Sequence, residues 1–414
     1  MHIFSRVAII AAASFSATVN AETLTLESAV SRALSTAPEF EANAARVDAL
    51  RAARSQAGIR PNPTVEVLGE NVVGTGPYQF LGGAEITASY AQTIERGGKR
   101  QARVALAERE IGVAEAEALV QRLDIARRVQ AAYVEAVTEQ ALIEVAEERL
   151  RLAKTLRTEV DRRVREARDP LFAGTRAATR VEEAEVDLEL AMHARDAALT
   201  RLTALWGGTP AGLTLSTEEF FELGDRVPVS GRPAAADLAV FEARVRRAEA
   251  AIAVEQARRV QDPTVRGGVR YLNQTGDLAI LGGISIPLAR YDTNRANVER
   301  AVAERRRAEV EIEVARLARL RELRLAEEKV EEARHEADAL LQRVFPGALK
   351  TLEQVREGFA RGGFRHVDID EAQTRLGTVR ERIVRALAEY HEARVELDRL
   401  TGRFAGPLLN EEVR

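Results

Sequence analysis

The sequence predicts a mainly α protein with a membrane β-barrel portion, built as a tandem repeat of strand, strand, long helix and helix. Three observations carry this. The composition suits long helices rather than a large globular core. The second half of the chain repeats the first at an offset close to 200 residues. Each half also holds two short segments whose side chains alternate between an apolar and a polar face.

Charged residues make up 30% of the 414-residue chain and aromatic residues only 5%. That balance, rich in Ala, Glu, Arg and Leu, is typical of extended helices. The net charge of -4 gives no electrostatic footprint for nucleic acid. Without cysteine the chain has no disulfide frame, no thiolate metal site and no lipid-carrying N-terminal Cys. Residues 1–21 read as a secretory signal: Arg6 supplies the positive start, Val7 to Phe15 the apolar stretch, and Ala21 the small residue at the cut. The mature chain is expected to begin at Glu22. No later stretch reaches the roughly 18–20 apolar residues of a membrane-spanning helix. A mature chain that crosses a membrane must therefore do so with strands.

The repeat is visible residue by residue. Pro63-Thr64-Val65 recurs as Pro263-Thr264-Val265, and Leu81-Gly82-Gly83 as Leu281-Gly282-Gly283, both at an offset of 200. Further on the offset becomes 195. Val181, Ala184, Leu188, Ala191, Ala198, Leu202 and Leu205 then map onto Leu376, Val379, Ile383, Ala386, Ala393, Leu397 and Leu400. The steps alternate three and four, apart from one slot filled by Arg195 and Tyr390, a heptad seam whose alanines let neighbouring helices approach closely. Both seams run into a glycine, Gly207 and Gly402, the expected stop. The first repeat is placed at 22–206, with strands at about 64–73 and 84–94 and helices at about 98–166 and 170–206. A Gly-, Pro- and acid-containing linker is expected over 207–232. The second repeat covers 233–402, with strands at about 264–273 and 278–288 and helices at about 293–360 and 367–401, and a tail follows over 403–414. A helix of roughly 65 residues is ~100 Å long and needs partners along its whole length. The second long helix is expected to break or kink at Pro346-Gly347.

The four strands are amphipathic. Ile86, Ala88 and Tyr90 share a face opposite Glu85, Thr87 and Ser89. Val265, Val269 and Tyr271 oppose Arg266 and Arg270, and Leu278, Ile280, Ile284 and Ile286 oppose Gly283 and Ser285. One face suits lipid and the other water, and ~10 residues is the length of a tilted membrane strand. Four strands cannot close a barrel, and open edges are not tolerated in lipid. Several copies must therefore complete one barrel. The alternative reading of the pattern alone is a small soluble sheet packed on helices.

Together these features resemble the TolC-like outer-membrane efflux proteins over nearly the whole mature length. Ala33-Leu34-x-x-Ala37-Pro38-Glu39 is similar to that family's N-terminal helix motif, and Gly58-x-x-Pro61-Asn62-Pro63 precedes the first strand as in the family. Glu95-Arg96-Gly97-Gly98-Lys99-Arg100 resembles the strand-to-helix junction, in a form most like the CzcC-type heavy-metal branch. The resemblance implies a homotrimer with a 12-stranded β-barrel in the outer membrane of a Gram-negative bacterium. That barrel would continue into a periplasmic α-helical barrel. It also implies two partners, a periplasmic adaptor and an inner-membrane resistance-nodulation-division pump, with this chain as the passive exit duct for heavy-metal cations. The alternatives are a duct for organic solutes or drugs, and a periplasmic coiled-coil adaptor.

In the family the turns between the paired long helices close the tunnel and meet the partner proteins. Here they fall at Arg165 to Asp169 and Arg361 to Phe364. The resemblance assigns the tunnel constriction to Asp368 and Glu371, and partner contact to Arg165, Asp169, Gly362, Gly363, Arg365 and His366. Asp368, Asp370 and Glu371 are also favourable simply as acids at a helix N-terminus. No nucleophile elbow, phosphate loop or clustered acid–base set is present, so no enzyme and no cofactor is expected. The five histidines are scattered and Cys is absent, so no tight metal site is expected either.

Overall fold

The computed structural model describes residues 22–224 and 232–405. The expected secretory signal, the end of the expected linker and most of the expected tail lie outside the described residues. The elements run β1 (Glu22–Leu24), α1 (Leu26–Thr36), α2 (Pro38–Ala57), β2 (Thr64–Glu70), β3 (Glu85–Thr93), α3 (Lys99–Arg165) and α4 (Leu171–Ala204). They continue with β4 (Leu213–Leu215), α5 (Ala235–Arg258), β5 (Thr264–Leu272), β6 (Asp277–Ser285), α6 (Arg295–Ala339), α7 (Phe345–Ala360) and α8 (His366–Thr401). None of the described helices is long and apolar enough to cross a membrane. The described chain forms two compact units, one of residues 36–128, 232–331 and 393–405, the other of 22–35, 129–224 and 332–392.

The first unit holds a four-stranded antiparallel sheet in the order β2-β3-β5-β6. Its register aligns the apolar residues in rows. Val67, Ala88, Val269 and Ile280 form one row, and Gly69, Ile86, Tyr271 and Leu278 the next. Val65, Val67, Ile86, Tyr90, Val269, Leu278 and Ile280 are all exposed, Ile280 by 90%. The other face is polar and internally paired. Arg270 donates to Glu70 Oε2 at 2.8 Å, Glu85 Oε2 at 2.7 Å and Thr87 Oγ1 at 2.9 Å, while Arg266 lies 3.5 Å from Glu66.

The strands are shorter than their patterning. β2 stops at Glu70 rather than 73 because Asn71 adopts φ 55 and leaves the extended region. β6 stops at Ser285 rather than 288 because its partner β5 begins at Thr264, the residue opposite Ser285. The offset of 200 also fails inside the hairpin. Leu81–Gly83 sit in a 3₁₀ turn before β3, whereas Leu281–Gly283 lie within β6. Thr64 faces Ala91 and Thr264 faces Ser285, so the offset has already shrunk to within one residue of the helical value. The shared Leu-Gly-Gly is thus not a structural equivalence; the first hairpin has simply a longer loop.

The sheet passes into α3 through two glycines with positive φ, Gly97 (69°) and Gly98 (74°). At Gly97 even a Cβ would sit 2.6 Å from the Val260 side chain, so only glycine fits. Lys99 Nζ and the Arg96 N–H both donate to Asp262, at 2.6 and 2.8 Å, and Arg103 pairs with Glu95. These contacts hold the junction. Beside it, α2 and α5 line the first part of α3 through Arg54–Glu108, Arg46–Glu117, Arg244–Glu117 and Arg247–Glu110 pairs. Burial pushes the Glu117 carboxyl up, but the bonds from Arg244 and Arg46 outweigh it and hold the group below the ordinary range. A buried ionic knot joins three helices: Arg399 of α8 forks onto Asp237 of α5 at 2.9 and 3.0 Å and donates to Asp124 of α3 at 2.6 Å.

The second unit is built on the later part of α3, α4, α7 and portions of α6 and α8. Val137, Ala141, Phe220, Leu340, Val379, Ile383 and Leu387 form its main core. The α8 half of the predicted seam is fully buried, whereas Leu188 and Ala191 at the middle of the α4 half are only partly so. At the expected break or kink, a π-helical turn, Leu340–Val344, precedes Phe345 and Pro346. Widening the helix by one residue absorbs the hydrogen bond that Pro346 cannot make, and the helical path continues through α7. Residues 207–224 are not irregular throughout. β4 pairs in parallel with β1, and Phe220 is buried against His391, whose Nε2 lies 2.9 Å from the Phe220 carbonyl.

Candidate functional site

The two helix-to-helix turns of the second unit share one backbone solution. In the first, Ala167 N–H bonds Val164 O and Arg168 N–H bonds Arg163 O. In the second, Gly362 N–H bonds Phe359 O and Gly363 N–H bonds Gly358 O. Both are Schellman caps, which require a left-handed residue just past the helix. Ala167 and Gly362, 195 positions apart, fill that role at φ 56 and 81. Alanine pays a steric penalty there that glycine does not. Ala167→Gly is accordingly expected to stabilise the protein by about 1 kcal/mol, and Gly362→Ala to destabilise it by about 1–2 kcal/mol. The shift in the denaturant midpoint of the purified variants measures both.

The turns are locked to each other. Arg163 donates to Asp169 at 2.9 Å, reaches the Phe359 carbonyl at 3.4 Å and lies 4.3 Å over the Phe359 ring. Asp169 is therefore engaged within the chain and largely buried. Leu156, Val160, Ala173, Ala177, Phe359 and Ile369 form the core behind the turns. Arg165, Gly362, Gly363 and Arg365 are exposed, as are the large side chains of Leu171, Phe172 and Phe364. Near the first turn, the Arg162 hydrogen bond holds the Glu159 carboxyl below the ordinary range.

The acids at the start of α8 divide into three roles. Asp368 accepts the Arg365 N–H at 2.7 Å, so it caps the helix from its third position. Glu371 is exposed. Asp370 points to α4, where Arg180 lies at 3.3 Å and Arg176 at 3.6 Å; Arg180 also donates to Thr374 at 2.6 Å. Sequence reading passed over this α4–α8 clasp, although Arg176 and Arg180 stand one helical turn apart on a single face. His366 and Asp370 line a cleft of about 320 Å³ with Arg176, Arg180 and Glu183, and His366 Nε2 is buried there without a hydrogen-bond partner. Among the described residues no cluster of three His, Cys, Asp or Glu side chains is placed to hold a metal ion.

A sheet with one exposed apolar face, joined to long amphipathic helices that turn back in tight caps, defines a class: an outer-membrane channel subunit. The chain belongs to the outer membrane efflux protein family, whose profile matches residues 29–208 and again 232–403. It is 30% identical over 394 residues to the cobalt-zinc-cadmium resistance protein CzcC of Cupriavidus metallidurans, covering 92% of this chain and 90% of that one. It is 26% identical over 294 residues to the nickel-cobalt-cadmium resistance protein NccC of Alcaligenes xylosoxydans xylosoxydans, covering 69% and 65%. Among solved structures the fold is similar to CusC (TM-score 0.71, 16% identity, 90% of this chain and 91% of that one). It is likewise similar to the outer membrane protein VceC of Vibrio cholerae (TM-score 0.68, 20% identity, 91% and 96%). The chain is thus an outer-membrane efflux channel protein of a Gram-negative bacterium, with a transport role rather than a catalytic one. The alternative of a periplasmic adaptor is excluded by the family match.

Proposed function

We propose that three copies of this chain assemble into one exit duct for heavy-metal cations, fed by a periplasmic adaptor and an inner-membrane resistance-nodulation-division pump. The observation that carries the reading is the sheet: four strands, an exposed apolar face, and two edges, β2 and β6, with no partner among the described residues. Three such sheets joined edge to edge make a closed 12-stranded barrel, which lipid demands. Exposed apolar stripes favour the same assembly on the helices: Val310, Val314, Leu317 and Leu325 on α6, and Val186 and Leu190 on α4. The tandem duplication of 22–206 in 233–402 gives each copy two sets of strands and helices, and the twofold match to one family profile supports it. The curated relatives named for metal resistance favour metal cations over organic solutes as cargo. A strain lacking the gene is expected to become sensitive to cobalt, zinc or cadmium and to recover with the intact gene. Unchanged metal tolerance with new sensitivity to organic compounds would favour the drug duct instead.

The turns of the helical unit are the tunnel's narrow end in this reading. Arg165, Gly362, Gly363, Arg365 and the rim of His366 meet the partner proteins, and Asp368 and Glu371 of each copy ring the mouth. Converging carboxylates concentrate cations and repel one another. Asp368→Ala and Glu371→Ala are each expected to weaken divalent-ion block of single-channel current. Identical block in the variants and the parent removes the constriction role.

A further inference from the structure

We propose that the first-hairpin loop, residues 71–84, is an interfacial anchor that seats in the headgroup–acyl boundary of the membrane leaflet. This rests on the reading of the sheet as barrel wall and gives an occupant to a surface beyond it. The two hairpins end differently. β5 and β6 join through residues 273–276, a short polar turn with Gly276 at φ 74. β2 and β3 join through a long segment with no charged side chain between Glu70 and Glu85. It forms two 3₁₀ turns, Gly76–Tyr78 and Phe80–Gly83, and exposes Val73, Tyr78, Phe80 and Leu81. Water-facing loops of this length are normally polar, and a contiguous apolar surface marks a contact site.

The loop is built rather than slack. Asn273 Nδ2 donates to the Leu81 carbonyl at 2.7 Å, and the Asn273 N–H to the Ala84 carbonyl at 3.0 Å. The Tyr78 side chain lies so close to Gly74 and Gly83 that a Cβ on either would come within 2.8 Å of it. Phe80 takes φ 47, a left-handed conformation rare for a bulky residue, and its side chain stands 79% exposed. Strain and exposure together hold an aromatic ring outward.

The other end of the sheet supplies a second observation. Past β6, Ile286, Leu288 and Tyr291 are exposed, with the Arg290 guanidinium 5.4 Å over the Tyr291 ring. Between these two collars run β3, β5 and β6, each of nine residues. At ~3.3 Å per residue they span about 30 Å, or about 23 Å of height at a tilt near 40°. That height matches an apolar membrane band, and aromatic side chains at both rims of such a band are interfacial girdles. The continuity of the loop with the exposed apolar rows points to lipid as its occupant, rather than to a soluble protein or to the same loop of another copy.

The test uses the full-length protein with Trp206, its one tryptophan, replaced by phenylalanine. Phe80→Trp and, separately, Ile280→Trp then report position in vesicles of phosphatidylcholine and phosphatidylglycerol carrying brominated acyl chains. The tryptophan at 80 is expected to shift its emission to the blue and lose about half its intensity to bromines near the headgroup. The tryptophan at 280 should be quenched best by bromines deep in the chain. A probe at 80 that escapes lipid quenching and yields to aqueous acrylamide, with the probe at 280 still quenched, overturns the anchor and leaves the barrel. Loss of quenching at both positions overturns the barrel reading, and the anchor with it.

Discussion

Arg399→Ala is expected to lower the stability of the purified protein by about 3–5 kcal/mol, the usual cost of breaking a buried ion pair by removing one partner. Arg399 is 7% exposed and Asp237 3%. Burial disfavours the Arg399 charge, but the bonds it donates to Asp237 and Asp124 more than restore it, raising its pKa above the ordinary arginine value. The guanidinium is therefore charged at every working pH, and its loss strands the Asp237 carboxylate. Arg319, 3.8 Å away, is then the nearest compensation. Arg399→Lys should recover only part of the loss, because a point charge cannot reproduce the two-pronged contact. Arg399→Met with Asp237→Leu should cost much less than the single alanine change, since neither charge is then left alone. Denaturant midpoints of the four proteins decide the matter. A single-alanine loss below about 1 kcal/mol would mean that water reaches the knot.

Ile280→Arg is expected to abolish accumulation in the outer-membrane fraction. Ile280 sits in the row with Val67, Ala88 and Val269, and an arginine near the middle of a lipid-facing strand costs about 2–4 kcal/mol per copy. In the proposed trimer that cost recurs in every copy. Ala279→Gln, one residue away on the face that carries Arg270, should leave fractionation unchanged. Equal behaviour of the two variants would show that the apolar face does not meet lipid.

The elements that local chemistry dictates were open to reading. Helix α3 was legible because no proline interrupts its heptads, and the strand faces because side chains alternate with a period of two. The Gly207 and Gly402 stops were legible because glycine is the residue that a left-handed helix end favours; both have positive φ. Features set by distant partners were not. Nothing local pairs β3 with β5, or says that β6 ends where β5 begins. The shared Leu-Gly-Gly misled because composition repeats where geometry does not. At the turns, Asp368 caps its own helix and Asp169 holds Arg163, contacts that the likeness to a family did not indicate. Asp370, the residue that bridges to α4, is indistinguishable in sequence from its acidic neighbours.

The open four-stranded sheet has a kinetic corollary. Among the described residues, strands β2 and β6 each leave a line of main-chain amide and carbonyl groups without a mate. In hydrocarbon every such group costs several kcal/mol, so a solitary polypeptide is barred from the bilayer by its own backbone, however greasy its flank. In the proposed trimer, docking of copies and entry into lipid must then proceed together. The rate of insertion should rise more steeply than linearly with chain concentration, and newly secreted copies should stay open to proteases until they meet.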